Sequence, residues 1–175
     1  MDIKNRKELA EYAGSLGYKK SAEIGVYNGK YSLVICQSFP ELQKHFCVDT
    51  WLPSRNHRWQ RRLDAAYVKA QRILKDYPVE FLRMTSLEAA KKFKRGELDF
   101  VYIDALHDAW NVMHDLKAWY PIVRSGGMVS GHDWGHAGVS RGLRLFEMQI
   151  QDNFTIQHTD LDGGDPMPSW YFIKE

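Results

Sequence analysis

Apolar, strand-like runs and helix-period stretches alternate along this chain five times, and then the alternation stops. The runs are KSAEIG (20–25), KHFCV (44–48, ending at Asp49), VEFLRM (79–84), FVYID (100–104) and MVSGH (128–132). A first helix is expected over 5–16, with Leu9, Tyr12, Ala13 and Leu16 on one stripe. Another suits 30–39, stopped by Pro40, and a third covers about 58–75 with Leu63, Tyr67, Ala70 and Leu74 inward. Thr85-Ser-Leu-Glu88 is a capping box, in which a hydroxyl and a carboxylate satisfy each other's orphan amides. Its helix is predicted to reach Arg95, before Gly96. Asp108 caps a long helix carrying Val112, Met113, Leu116, Trp119, Tyr120 and Val123 on a 3.6-residue period. Gly126-Gly127 reads as a turn, and 139–150 as the last helix. FTIQHT (154–159) and SWYFIK (169–174) are strands with only the polar loop LDGGDPMP between them.

Strand–helix alternation builds a parallel sheet with helices on both faces. A closing pair with no helix between its members must be antiparallel. The expected architecture is therefore a three-layer, doubly wound α/β fold. Its seven-stranded sheet is mostly parallel, with one reversed strand near the edge. At 175 residues the chain is expected to form a single domain, 1–175.

Composition closes off several classes. A net charge of +2 demands no polyanionic partner, so no nucleic acid is expected. Cys36 and Cys47 lie in apolar runs without metal or redox spacing, as reduced core residues do. No apolar run approaches the ~20 residues of a membrane span, and MDIKNRKELAEYAG carries no apolar leader core. A cytoplasmic protein with no membrane partner is expected.

In open α/β sheets ligands bind beyond the carboxyl ends of the strands. Those ends here carry Glu23-Ile-Gly25, Asp49-Thr50, Met84-Thr85-Ser86, Asp104 and His132-Asp133. The first turn is Gly25-Val-Tyr27-Asn-Gly29, which lacks the middle glycine that lets a pyrophosphate lie against bare backbone. A smaller anion, such as an amino-acid carboxylate, suits the amides around Gly25 and Gly29. Asp49 stands about 20 residues further on, where an acid can accept both hydroxyls of a ribose. A nucleoside with an amino-acid tail satisfies both features, and S-adenosylmethionine is such a molecule.

The segments AEIGVYNGKYS, CVDTW, LDFVYIDALHD and LKAWYPIVRSGGMVSGHDW, followed by GVSRGL, resemble a class I S-adenosylmethionine-dependent methyltransferase. The nearest branch contains macrocin O-methyltransferase-like and cephalosporin-hydroxylase-like proteins. The resemblance spans about residues 20–150 and implies a Rossmann-like fold. It implies that Glu23 and Gly25 hold the methionine end, with Tyr27 and Gly29 in the same loop. Asp49 would bind the ribose beside Thr50, and Trp51 would pack against the adenine. Ser86 with Thr85 would lie at the adenine edge, and Asp104 near the sulfonium. Relatives of that branch often bind Mg²⁺ through acids at Asp104 and Asp133.

Asp108 already caps the next helix, so Asp104 needs a cation or hydrogen-bond donors of its own. The metal candidates are Asp104, Asp133 and His132, on a rim that also carries His107 and His136. Oxygen ligands suit Mg²⁺ and imidazoles suit a transition metal. Many relatives place an acid where this chain has Leu106, and two adjacent acids where it has His132-Asp133. His107 is therefore the candidate base, its ordinary pKa suiting proton transfer near neutrality; His107 and Asp104 form the catalytic pair. Arg55, His57, Arg58, Arg61 and Arg62 make a basic face beside Trp51 and Trp59, either a solvated helix start or a lid over the cofactor or grip on an anionic substrate. Trp110, Trp119 and Tyr120 read as core packing, with Trp110 facing the site as the alternative.

The expectation is methyl transfer to an oxygen of a small molecule or sugar, at a site that is either open or completed by a neighbouring subunit of a homo-oligomer. The alternatives are a nicotinamide oxidoreductase, a metal-dependent hydroxylase or hydrolase on the His/Asp rim, and a nucleoside-binding protein without turnover.

Overall fold

A computed structural model describes residues 3–52, 59–150, 152, 154–160 and 167–175. Seven strands form one sheet in the order β3-β2-β1-β4-β5-β7-β6. They are β1 (Lys20–Ile24), β2 (Lys44–Asp49), β3 (Val79–Arg83), β4 (Leu98–Ile103), β5 (Val123–Gly131), β6 (Gln157–His158) and β7 (Trp170–Ile173). The first five run parallel, and β7 is antiparallel to both of its neighbours, so it is the reversed strand near the edge. The strand order reverses between β1 and β4, and the carboxyl ends of those two strands flank a crevice there.

Helices α1 (Arg6–Ser15), α2 (Lys30–Ser38) and α3 (Gln60–Ile73) share one side of the sheet. Leu9, Ala10 and Ala13 of α1 and Ile35 of α2 pack there with Phe100, Tyr102 and Met128, while Ala66 and Ala70 of α3 pack around Cys47 and Trp51. The other side holds α4 (Ser86–Ala90), α5 (Ala109–Trp119) and α6 (Ala137–Glu147), over Val101, Ile103, Val129 and Phe172. Each central strand thus sends alternate residues into separate cores, as a two-sided sheet requires.

Local signals placed most boundaries. The Asn5 side chain accepts from the amides of Lys7 and Glu8 to start α1, and Asp108 accepts from Asn111 N–H to start α5. Both halves of the Thr85–Glu88 capping box form. Four expectations change. Helix α4 ends at Ala90 rather than Arg95, because Phe93 turns inward onto Phe46 and Trp119, with ring centroids 4.7 and 5.2 Å away. Gly126-Gly127 is no turn between elements: β5 starts at Val123, which pairs with Leu98, and absorbs the glycines as an irregularity. Helix α6 runs over Ala137–Glu147 rather than 139–150. Strand β6 shrinks from 154–159 to Gln157–His158, since Phe154 stacks at 4.1 Å on Phe172. Arg55, His57 and Arg58 of the predicted basic face lie outside the described residues.

Candidate functional site

The crevice begins at the end of β1. Gly25 has φ +95, and a Cβ there would lie 1.9 Å from the Asp104 carbonyl oxygen. Only glycine lets β1 leave the sheet this close to β4. Two further bends follow, with Tyr27 at φ 49 and Trp51 at φ 47. The Asp49 carboxylate joins them: Oδ2 accepts Tyr27 N–H and Oδ1 accepts Trp51 N–H, both at 2.8 Å. The Trp51 indole N–H then donates to Tyr27 O at 2.7 Å. One acid at the end of β2 thereby fixes two loops, and each oxygen keeps further acceptor capacity.

Above these loops lies a cavity of about 680 Å³, within the range of small-molecule sites. Its lining includes Gly25, Tyr27, Asp49, Thr50, Thr85, Ser86 and Asp104, with Ile24, Val48, Leu52, Met84, Leu87 and Leu106 as apolar walls. Thr85 spends its hydroxyl on the α4 cap, donating to Glu88 Oε2 at 2.6 Å. Ser86 accepts from the Trp119 indole at 2.9 Å and donates to Asp115 Oδ1 at 2.5 Å. Asp115 also lines the cavity yet is only 6% exposed. Burial pushes its carboxyl up to about 6, against the lowering effect of the Ser86 hydrogen bond.

Three predicted cofactor residues do not line the cavity. Glu23 is buried on the α2 side of the sheet, where it accepts from the Ser32 hydroxyl; burial raises its carboxyl to about 8. It lies beneath the bend, off the cavity lining. Gly29 N–H is donated to Val26 O at 3.0 Å, and a Cβ there would meet Ala70 at 3.0 Å, so this glycine serves helix packing. Trp51 is fully buried against Tyr67 and Phe81, which removes its side chain from any adenine. The described part of the basic face is Arg61, which is exposed on α3, and Arg62, whose Nε donates to the Tyr27 hydroxyl at 2.9 Å while its guanidinium sits 4.9 Å over Trp59.

The β4 and β5 ends carry a second cluster. His107 Nε2 lies 2.9 Å from Asp133 Oδ2 and 3.5 Å from Asp104 Oδ1. Hydrogen bonding to Asp104 and the charge of Asp133 raise its pKa, overriding partial burial. The ring therefore holds a proton more firmly than the ordinary imidazole that sequence reasoning took for a base. Ligand atoms of Asp104, His107 and Asp133 all lie within 4.8 Å of one another. That donor set of two carboxylates and one imidazole fits a divalent ion, and its imidazole favours a transition metal over Mg²⁺. His107, not His132, completes the triad. His132 Nδ1 is 4.0 Å from Asp104 and 3.3 Å from Asp133, but its ring is mostly buried, while Asp133 at φ 60 brings its other oxygen to His107. His136 caps α6, accepting from Gly138 N–H. Asp104 belongs to both the cavity lining and the triad.

Residues 22–134 match the family described as Methyltransferase domain. The chain belongs to this methyltransferase family. Solved structures agree in fold. An O-methyltransferase from Bacillus cereus, in complex with SAH, superposes with a TM-score of 0.71 at 16% identity, covering 97% of this chain and 80% of that one. The O-methyltransferase TomG from Streptomyces achromogenes, involved in tomaymycin synthesis and in complex with SAM, gives 0.66 at 17% identity, covering 97% and 79%. Spermidine synthase from Thermotoga maritima gives 0.63 at 15% identity, covering 94% of this chain and 56% of that one. No curated protein matches the sequence significantly. The architecture is that of the class I S-adenosylmethionine-dependent methyltransferases, a scaffold that also carries other transfer enzymes, so the acceptor must be argued from the site. No helix of this methyltransferase, among the described residues, is long and apolar enough to cross a membrane.

Asp115 was missed by sequence reasoning. Its signal was present: it falls three residues after Val112 and four before Trp119, an acid on the apolar stripe of α5.

Proposed function

We propose that this methyltransferase binds S-adenosylmethionine in the 680 Å³ cavity and methylates a hydroxyl oxygen of a small molecule. One observation carries the reading: an acid fixed by two backbone amides, Asp49, faces the same cavity as the Gly25 bend. Asp49 would accept the sugar hydroxyls, and the tail would lie over Gly25, where no Cβ intrudes. The cofactor supplies an electrophilic methyl on sulfur. The chain's part is to align the acceptor oxygen behind that carbon, a positioning effect worth on the order of 7–11 kcal/mol. As the carbon–oxygen bond forms and the carbon–sulfur bond breaks with its electron pair left on sulfur, the hydroxyl proton would pass to a carboxylate oxygen of Asp104, which borders the cavity. A divalent cation held by Asp104, His107 and Asp133 would make the acceptor hydroxyl more acidic. The O-methyltransferase neighbours support oxygen as the acceptor atom.

Calorimetric titration with S-adenosylhomocysteine tests the reading. Saturable binding to the wild-type protein is expected, weakened at least ~10-fold in Asp49→Ala. No heat from the folded wild type at ~1 mM ligand would overturn it.

A further inference from the structure

We propose that His45 is an acid-sensitive pin between β1 and β2: its ring fits the closed seam only while neutral, so its protonation opens the two strands whose ends carry Gly25 and Asp49. His45 pairs in register with Ser21, and both residues are fully buried. Register partners on neighbouring parallel strands share a face, and the Ser21 hydroxyl lies 2.8 Å from His45 Nδ1. The second ring nitrogen, Nε2, is buried with no hydrogen-bond partner among the described residues. A neutral imidazole has one N–H and one lone pair, so one polar atom is already stranded. An imidazolium has two N–H donors and a full charge. Ser21 Oγ can accept one of those donors, and nothing accepts the other. The closed seam has no place for the protonated ring.

No neighbouring charge relieves this. On this side of the seam the titratable groups are Glu23 of β1, Cys47 of β2 and Cys36 of α2, with Tyr67 of α3 and Tyr77 before β3 around them. Burial raises the Glu23 carboxyl to about 8 and raises both thiols, so in acid none of these groups offers the negative charge that an imidazolium needs. For His45 burial is the sole cause of its shift, from 6.5 down to about 3. Below 6.5 the unfolded chain takes a proton that the fold refuses until about 3. The stability this ring contributes is therefore full above 6.5 and lost as pH falls, by ~10-fold in the unfolding constant per pH unit. Glu23 acts in the opposite sense between 8 and 4.5, so the His45 effect is read as a difference between proteins that both keep Glu23. His45 does not line the cavity. It reaches the cavity through the strands: Gly25 N–H donates to Val48 O at 2.8 Å across the same seam, so opening the seam takes apart the cavity floor.

The test is urea unfolding of the full chain at pH 7 and pH 4.5, for the wild type and for His45→Asn, whose amide can still bond Ser21 but cannot titrate. Between those two conditions the wild-type unfolding constant is expected to rise by ~30-fold or more relative to that of the variant. The same pH dependence in both proteins would overturn the proposal. Hydrogen exchange at Gly25 N–H, corrected for the intrinsic rate at each pH, should accelerate in the wild type by the same relative factor. Exchange there that ignores the substitution would overturn the link between the ring and the cavity. Should His45→Asn fail to fold, nitrogen spectra of the wild type with labelled histidine decide. The His45 ring is expected to stay neutral in the folded protein at pH 4.5, and an imidazolium there would overturn the proposal.

Discussion

The two halves of the strand rim hold their acids in different ways. On the β1–β2 side, Asp49 is gripped by backbone: the amides of Tyr27 and Trp51 donate to it, and both residues take left-handed conformations to do so. On the β4–β5 side, Asp104 and Asp133 meet side chains, above all the His107 ring between them. Backbone amides cannot change charge, so the first half is fixed before any ligand arrives. The second half includes a ring that can change charge, His107, whose pKa is raised by the acids on either side, and a metal ion or an acceptor would shift that balance. On the proposed function, the contrast separates a rigid binding half from a responsive reacting half.

Gly25 joins the halves, so its replacement is the most severe way to break the comparison. Gly25→Ala would drive a Cβ to 1.9 Å from the Asp104 carbonyl and force alanine to φ +95. A loss above ~3 kcal/mol is expected, lowering the melting temperature by roughly 10 °C. A melt within ~2 °C of wild type would show that the β1–β4 approach can relax at little cost.

Glu23 tests how far the binding half suppresses charge. Its folded carboxyl holds a proton to about pH 8, against 4.5 for the ordinary group. Between those values folding takes up a proton, so this group's contribution to stability is full below 4.5 and is lost as pH rises through about 8. Glu23→Gln cannot ionise and should escape the loss. Denaturant melts at pH 5.5 and 8.5 should show the wild type losing ~2 kcal/mol or more relative to the variant. Parallel losses in both proteins would mean that Glu23 is ionised in the fold.

A paired substitution sharpens the contrast directly. Asp49→Asn should weaken S-adenosylhomocysteine binding by ~10- to 100-fold, the scale of a charged hydrogen bond. Asp104→Asn should change that affinity by less than ~3-fold while slowing methyl transfer by ~100-fold. Calorimetry and a radiolabelled-methyl assay measure the two effects. The reverse pattern would exchange the roles of the halves.

The legibility of the sequence follows the same division. Features set by a few neighbours in sequence could be read: the strand ends at Asp49, Asp104 and Asp133, the Asp108 cap, and the reversed last strand. Features set by partners far along the chain could not. Strand β1 is buried on both faces, so no alternation reveals that Glu23 looks toward Ser32. Trp51 reads as a loop aromatic until α3 and β3 bring Tyr67 and Phe81 over it. The choice of His107 over His132 depends on the φ of Asp133, which no local pattern announces. Asp115 was within reach, because its helical period puts it among the core residues of α5.

The smallest effect separates two adjacent hydroxyls at the end of β3. Both Thr85 and Ser86 line the cavity, and proximity alone would make both binding residues. Their hydrogen bonds say otherwise. Thr85 gives its hydroxyl and its amide to Glu88, whose carboxyl is held below the ordinary range by both. Ser86 connects Trp119 to Asp115. Thr85→Ala should therefore cost about 1 kcal/mol of cap stability, seen as a 2–4 °C lower melt. Affinity for S-adenosylhomocysteine should stay within ~3-fold, since no ligand contact is removed. A 10-fold loss of affinity with an unchanged melt would move Thr85 from the scaffold into the binding half.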